Sequence, residues 1–217
     1  MDRCHRSGSV PVERLAKVRE LAFSKPGTSL GKTTMQVESQ ATAMPKFAKF
    51  VENQRFSKNG VLFIVPHIVG SENGLDRPQP DAKSEFTERN AANIAWIDEG
   101  FRAASESGAK AVVVAFQANP YGKEERSESI SPGFIDTVAA IADGARAFGK
   151  PVLVVQGDNH VLRIDKFRDA SLKPVDNVLR LQLFGDKLVH AMRVLVDPDM
   201  PEVFTLVPLM VPENGPS

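Results

Sequence analysis

Apolar positions along this chain follow two alternating rhythms. At 12–23, Val12, Leu15, Val18 and Ala22 share one face and Glu13, Lys17 and Glu20 the other, a spacing that predicts an amphipathic helix ending at Lys25-Pro26-Gly27. Positions 28–59 show weak periodicity, several Lys and Ser and scattered Phe, and read as a long irregular excursion rather than a separate domain. The apolar run at 60–65, bounded by turn residues, predicts a strand covered on both faces. Ser84 then caps a predicted helix in which Ile94, Ile97, Phe101 and Ala104 recur at three and four residue steps up to Gly108. A second buried strand is predicted at 111–116. Ser131-Pro132 opens a helix striped by Phe134, Val138, Ile141, Ala145 and Phe148 that stops at Gly149, and 151–155 is a third apolar strand. Buried strands alternating with amphipathic helices predict right-handed crossovers in a largely parallel sheet.

The last third changes rhythm. Leu179, Leu181 and Leu183 alternate with Arg180 and Gln182, and Gly185-Asp186 offers a tight turn into 188–196, which predicts a hairpin with His190 in mid-strand. A further strand at 203–207 follows the turn Asp197-Pro198-Asp199. The expected fold is therefore α/β, with mostly parallel strands and helices in the first two thirds and antiparallel strands at the C-terminus, in a single domain over 1–217 without internal repeats.

Composition narrows the function. Lys and Arg number 27 against 27 Asp and Glu, so no net field draws the chain to nucleic acid or an anionic membrane. The single cysteine, Cys4, excludes a disulfide framework and a multi-cysteine zinc site. No signal peptide follows Met1, and no apolar run approaches roughly 18 residues, so the chain as it stands is expected to be soluble. Its compartment is not legible.

Chemistry in an open α/β sheet gathers where parallel strands end at their carboxyl edge. Three such ends are polar: Pro66-His67 through Gly70-Ser71-Glu72-Asn73, then Gln117-Ala118-Asn119-Pro120, then Gly157-Asp158-Asn159-His160. Asp158 and His160, two residues apart after an apolar strand and a glycine, are a carboxylate and an imidazole that can turn toward one cation; equally, Asp158 can cap its own turn. His67 is a candidate for touching a phosphate or orienting a ligand. Asn73, Gln117 and Asn119 are candidates for a metal or phosphate oxygen, although amides after strands more often satisfy their own turns. Gly27-Thr28-Ser29-Leu30-Gly31-Lys32-Thr33 looks like a phosphate loop but has one residue too few between its glycines and follows a helix rather than a strand, so it is not read as a nucleotide site. Cys4 and His5, beside a terminus, are not read as a metal site.

The run from Gly157 through Asp158, His160, Arg163, Ile164, Asp165 and Lys166 resembles the closing motif of a bacterial subgroup of calcineurin-like metallophosphoesterases, in which Gly-Asp-x-His replaces the usual Gly-His-x-His. Pro11-Val12-Glu13-Arg14-Leu15-Ala16-Lys17-Val18-Arg19-Glu20, Pro26-Gly27-Thr28-Ser29-Leu30-Gly31, Val69-Gly70-Ser71-Glu72-Asn73, Ala91-Ala92-Asn93-Ile94-Ala95-Trp96, Gln117-Ala118-Asn119-Pro120 and Val196-Asp197-Pro198 look like that subgroup in the same order. The resemblance implies part of a metallophosphoesterase sandwich and hydrolysis of a phosphate-ester substrate by a metal-activated water. It also implies a divalent metal (Mn, Fe or Zn) on Asp158 and His160, with Gln117 and Asn119 at the strand end where the superfamily commonly offers a metal-binding histidine, and His67 and Asn73 in catalytic roles. The Asp-x-His, Gly-Asp and Gly-Asn-His-Asp or Gly-Asp-Asn-Glu motifs that come earlier in the family and supply its first ligands have no counterpart ahead of this closing motif. The expectation is thus the C-terminal portion of such a domain without its N-terminal half, binding metal weakly, inactive alone and prone to self-association along an unpaired strand edge. The alternative is a non-catalytic remnant or a ligand- or partner-binding module of the same fold.

Overall fold

The computed structural model describes residues 11–122, 129–186 and 188–214. The amphipathic segment at the start is α1 (Pro11–Ala22), and the alternation that follows builds a seven-stranded mixed sheet with two long helices on one face. Strands β1 (Glu38–Ser39), β2 (Gln54–Lys58), β3 (Val61–Val65), β4 (Ala111–Ala115), β5 (Val152–Gln156), β6 (Arg163–Arg168) and β7 (Pro174–Gln182) stand in the order β1-β2-β3-β4-β5-β7-β6. The centre, β3-β4-β5-β7, is parallel, and β1, β2 and β6 add antiparallel edges.

Both faces of β3, β4 and β5 are covered, which is why these strands are apolar at every position but the last of β5, Gln156. Val112, Val114, Val152 and Val154 face α3 (Ala82–Glu106) and α4 (Ile135–Phe148), whose Trp96, Ile97, Phe101, Val138, Ile141 and Phe148 complete one core. Their neighbours Val113, Leu153 and Leu181 join a second core with Phe204, Met192, Val194 and Leu206 from a separate ribbon, β8 (Ala191–Val196) with β9 (Phe204–Leu209). That ribbon leaves Phe56 and Phe63, stacked at 4.6 Å, half-buried on the same face. β6 carries Arg163, Asp165, Lys166 and Arg168, the charge density that keeps an edge strand from recruiting another.

Several sequence expectations shift in detail. The stretch expected to be irregular over 28–59 gains structure after 37: β1, the single turn α2 (Gln40–Ala43) and β2, which pairs antiparallel with all of β3. The helix expected from Ser84 begins at Ala82. Ser131 precedes a 3-10 turn, Pro132–Phe134, and its side chain makes no capping bond. The hairpin expected between 179–183 and 188–196 does not form. β7 is taken instead by β5 in parallel and β6 in antiparallel register, because its alternate leucines reach the core only beside β5, and β8 pairs with β9 as the closing antiparallel set. His190 consequently precedes β8 rather than lying within it; its Nδ1 accepts from Val211 N–H at 3.2 Å.

Candidate functional site

Because β3, β4 and β5 run parallel, the loops that follow them emerge on one edge, and backbone bonds stitch them together. Gln117 N–H donates to Ile68 O at 3.3 Å and Gly157 N–H to Gln117 O at 3.1 Å. Asp158 is the meeting point. Its Oδ1 accepts from Gln117 Nε2 at 3.3 Å and its Oδ2 from Asn119 N–H at 3.1 Å, while Gln117 Oε1 accepts from Gly70 N–H at 2.6 Å. The carboxylate sits so close to Gly70 that a Cβ there would stand 3.0 Å from Oδ1, so glycine is what lets the first loop approach the third.

The backbone on this edge is strained. Ser71, Glu72 and Asn73 all adopt φ near +55°, and Asp158 and His160 lie at +79° and +62°. Each such non-glycine residue costs on the order of 1–2 kcal/mol, and surrounding structure must hold it there. Asn73 is the clamp for the first turn: fully buried, it accepts Arg89 Nη1 on Oδ1 at 2.6 Å and Arg89 Nη2 on its backbone oxygen at 2.6 Å, and donates Nδ2 to Gly133 O at 3.1 Å. Gly133 permits that contact, since a Cβ there would fall 2.0 Å from Glu72 O. Every bond that Asn73 makes here is to the protein, and these bonds fix the loop.

Between the loops opens a crevice of 540 Å³ lined by Glu72, Asp76, Arg77, Asn119, Asp158 and Asn159, among others. Three carboxylates and one guanidinium border it. Of the two amides expected to offer an oxygen to a metal, Asn119 has both lone pairs filled and Gln117 has one filled. Gln117 Oε1 is taken by Gly70, and Asn119 Oδ1 accepts both Tyr121 N–H at 3.2 Å and Gln156 Nε2 at 2.9 Å. His160 is exposed, with its ring lying against Gly185, where a Cβ would stand 2.8 Å from its Cδ2. Among the described residues no three His, Cys, Asp or Glu side chains group closely enough to hold a metal ion. The donor set does not complete the divalent-metal centre that the sequence resemblance implies, for which four to six ligands are the norm.

His67 leaves β3 on the same edge but lines a different, smaller cavity. Its backbone is gripped by buried amides, with Asn53 Oδ1 accepting its N–H and Asn93 Nδ2 donating to its oxygen, both at 2.7 Å. Its Nδ1 lies 2.8 Å from Glu52 Oε1, and Arg19 of α1 grips the same carboxylate through Nη2 at 2.5 Å and Nε at 2.9 Å. Burial alone would raise the Glu52 pKa, but hydrogen bonds from His67 and Arg19 outweigh it and hold the group at about 2. Glu52 and Arg89 carry no motif in the sequence. Only the pairing of β2 with β3 brings Glu52 to His67. The stretch 27–33 forms no phosphate loop, because Thr28 bridges to Gln36 and Ser29 exchanges bonds with Met35, closing a local turn that leads into β1. Cys4 and His5 lie outside the described residues. No helix among the described residues is long and apolar enough to cross a membrane. No protein-family model and no curated protein matches the chain.

Proposed function

We propose that this chain is a metallophosphoesterase-type α/β domain that holds a phosphate-ester ligand in its carboxyl-edge crevice without assembling, from its own described residues, the metal centre that would hydrolyse it. The observation that carries this reading is the convergence of three strand-end loops, two of them strained, on Asp158 at the wall of one crevice. Strained backbone persists where surrounding contacts over-determine it, and it gathers at ligand sites. Arg77 supplies the cation for a phosphate oxygen. Against Glu72, Asp76 and Asp158 a doubly charged monoester is repelled more than a singly charged diester, so the ligand class is a phosphodiester. A divalent cation drawn to Asp158 keeps water for most of its ligands and binds weakly.

A specific feature favours binding over catalysis: the Asn119 amide oxygen accepts two bonds inside the fold and is filled, and the Gln117 oxygen is already held by Gly70 N–H. The test is a chromogenic phosphodiester assay of the whole chain with Mn²⁺ or Zn²⁺ present. Hydrolysis is expected not to rise above that of the metal alone. Metal-dependent turnover abolished by Asp158→Asn would overturn the binding reading in favour of a working hydrolase.

A further inference from the structure

At the β1 edge of the sheet, away from the crevice, an opening of 410 Å³ is lined by Pro26, Gln36, Val37, Phe56, Ser57 and Leu62, among others. The strands themselves explain it. β2 and β3 are joined by the two-residue turn Asn59-Gly60, whose φ values of 50° and 76° mark a tight hairpin in which the flanking pair, Lys58 and Val61, exchanges both backbone bonds. Alternation then turns the backbone groups of Asn53, Arg55 and Ser57 away from β3. Two of the three are met: Asn53 O accepts from Gln40 N–H at 2.8 Å, and Arg55 pairs with Glu38 of β1. The residue that would meet Ser57 in the same register is Gln36, but it bridges to Thr28 instead, and Val37 N–H donates to Gly27 O at 3.1 Å. The chain therefore parts from β2 just short of Ser57, and no backbone group among the described residues takes the outward N–H or oxygen of Ser57.

Charge says what fits there. Among the described residues the one carboxylate lining the opening, Glu38, is taken by Arg55 at 2.6 Å. Lys58, next along the strand from Ser57, and Lys25, beside Pro26, are exposed and pair with no carboxylate among the described residues. We propose that the open edge of β2 is a docking site for an acidic extended segment of a partner protein, which continues the row begun by β1. The segment runs antiparallel to β2. One of its residues exchanges both backbone bonds with Ser57 and turns an aliphatic side chain to the face of Leu62, which is paired with Ser57 across the hairpin, and the neighbouring residue sets a carboxylate beside Lys58. Main-chain bonds to a sheet edge supply affinity and alternate side chains supply specificity. Lys58 also disfavours a second copy of β2, which would bring another lysine to the same edge.

The probes are the acetylated and amidated peptides Glu-Val-Glu-Val-Glu and Lys-Val-Lys-Val-Lys, and the first of these N-methylated on both valines. Each is titrated into the full chain while the backbone ¹⁵N–¹H resonances of residues 55–58 are followed. The acidic peptide is expected to shift them saturably and the lysine peptide to leave them unmoved. The N-methylated peptide keeps every charge but has no donor for Ser57 O, and is expected to bind about tenfold more weakly. Ser57→Pro removes the outward N–H and leaves the β2–β3 bonds through Phe56 and Lys58 in place. In a chain whose resonances outside β2 match the wild type, it is expected to weaken the acidic peptide by about as much, read at Lys58. No response to the acidic peptide, an equal response to the lysine peptide, or binding undiminished by N-methylation or by Ser57→Pro overturns the assignment. So do shifts at 55–58 that follow the concentration of the chain alone, the mark of a second copy on this edge. The three peptides on the wild-type chain decide the matter without any variant.

Discussion

Replacing Arg89 by Met is expected to destabilise the domain by about 3–5 kcal/mol, the usual cost of removing one partner from a buried charge network. Arg89 is 2% exposed and spends its guanidinium on Glu85 at 2.7 and 3.0 Å, on Asn73 through two bonds of 2.6 Å and on His67 O at 3.3 Å. Methionine fills the volume but removes the donor from the Glu85 carboxylate and the Asn73 backbone oxygen, and takes one of two donors from Asn73 Oδ1 and from His67 O. It also loosens the left-handed turn at 71–74, leaving Asn73 with its bonds to Gly133 O and Val69 N–H. Urea unfolding of the variant measures the loss, with Arg102→Met as the control. Arg102 makes ion pairs to Glu99 and Glu106 on the open face of α3, and its loss is expected to leave the midpoint unmoved. If both substitutions behave alike, the buried network is not what fixes the crevice loop.

Acid stability offers the second large effect. Glu52 is lowered from 4.5 to about 2, so the unfolded chain takes up its proton before the folded one does. The group therefore contributes stability that is complete above about pH 4.5 and is lost as pH falls toward 2, a contribution of about 3 kcal/mol from a shift of this size. Glu52→Gln is expected to be less stable than the wild type by that order at pH 7 and to converge with it near pH 2. Urea midpoints across this range give the comparison. Two parallel curves would mean that the bonds from Arg19 and His67 contribute nothing net. Because Arg19 belongs to α1, the same variant is expected to loosen that helix first, through the loss of its bidentate anchor.

Apolar periodicity made the central fold legible because β3, β4 and β5 are covered on both faces and their helices on one, so position and environment coincide. It misled at 179–196, where alternation in β7 suggested a hairpin. Alternation reports that one face is buried, not which strand lies alongside, and β7 is claimed by β5. β2 was missed because Gln54, Ser57 and Lys58 carry no apolar pattern; its neighbour Arg55 is buried by stacking on Trp96 at 4.7 Å and by Glu38, a compensation that single residues do not announce. At the site, the sequence placed Gln117, Asn119, Asp158 and His67 on one sheet edge. It could not show that Gln117 bonds the Gly70 loop and Asn119 bonds Gln156, that Asn73 is a buried clamp, or that His67 turns to a different cavity, because these follow from partners 14 to 60 residues away.

The proposed crevice makes a claim of sign as well as size. With a metal chelator present, diphenyl phosphate titrated calorimetrically into the whole chain is expected to bind saturably, to bind about tenfold or more weakly to Arg77→Ala, and to bind more tightly to Asp158→Asn, which removes a negative charge from the crevice wall. Gln79→Leu, whose side chain lines only the smaller cavity, is expected to bind it as the wild type does. No binding by the wild type, or binding indifferent to Arg77 and Asp158, contradicts a phosphodiester site at this edge of the sheet.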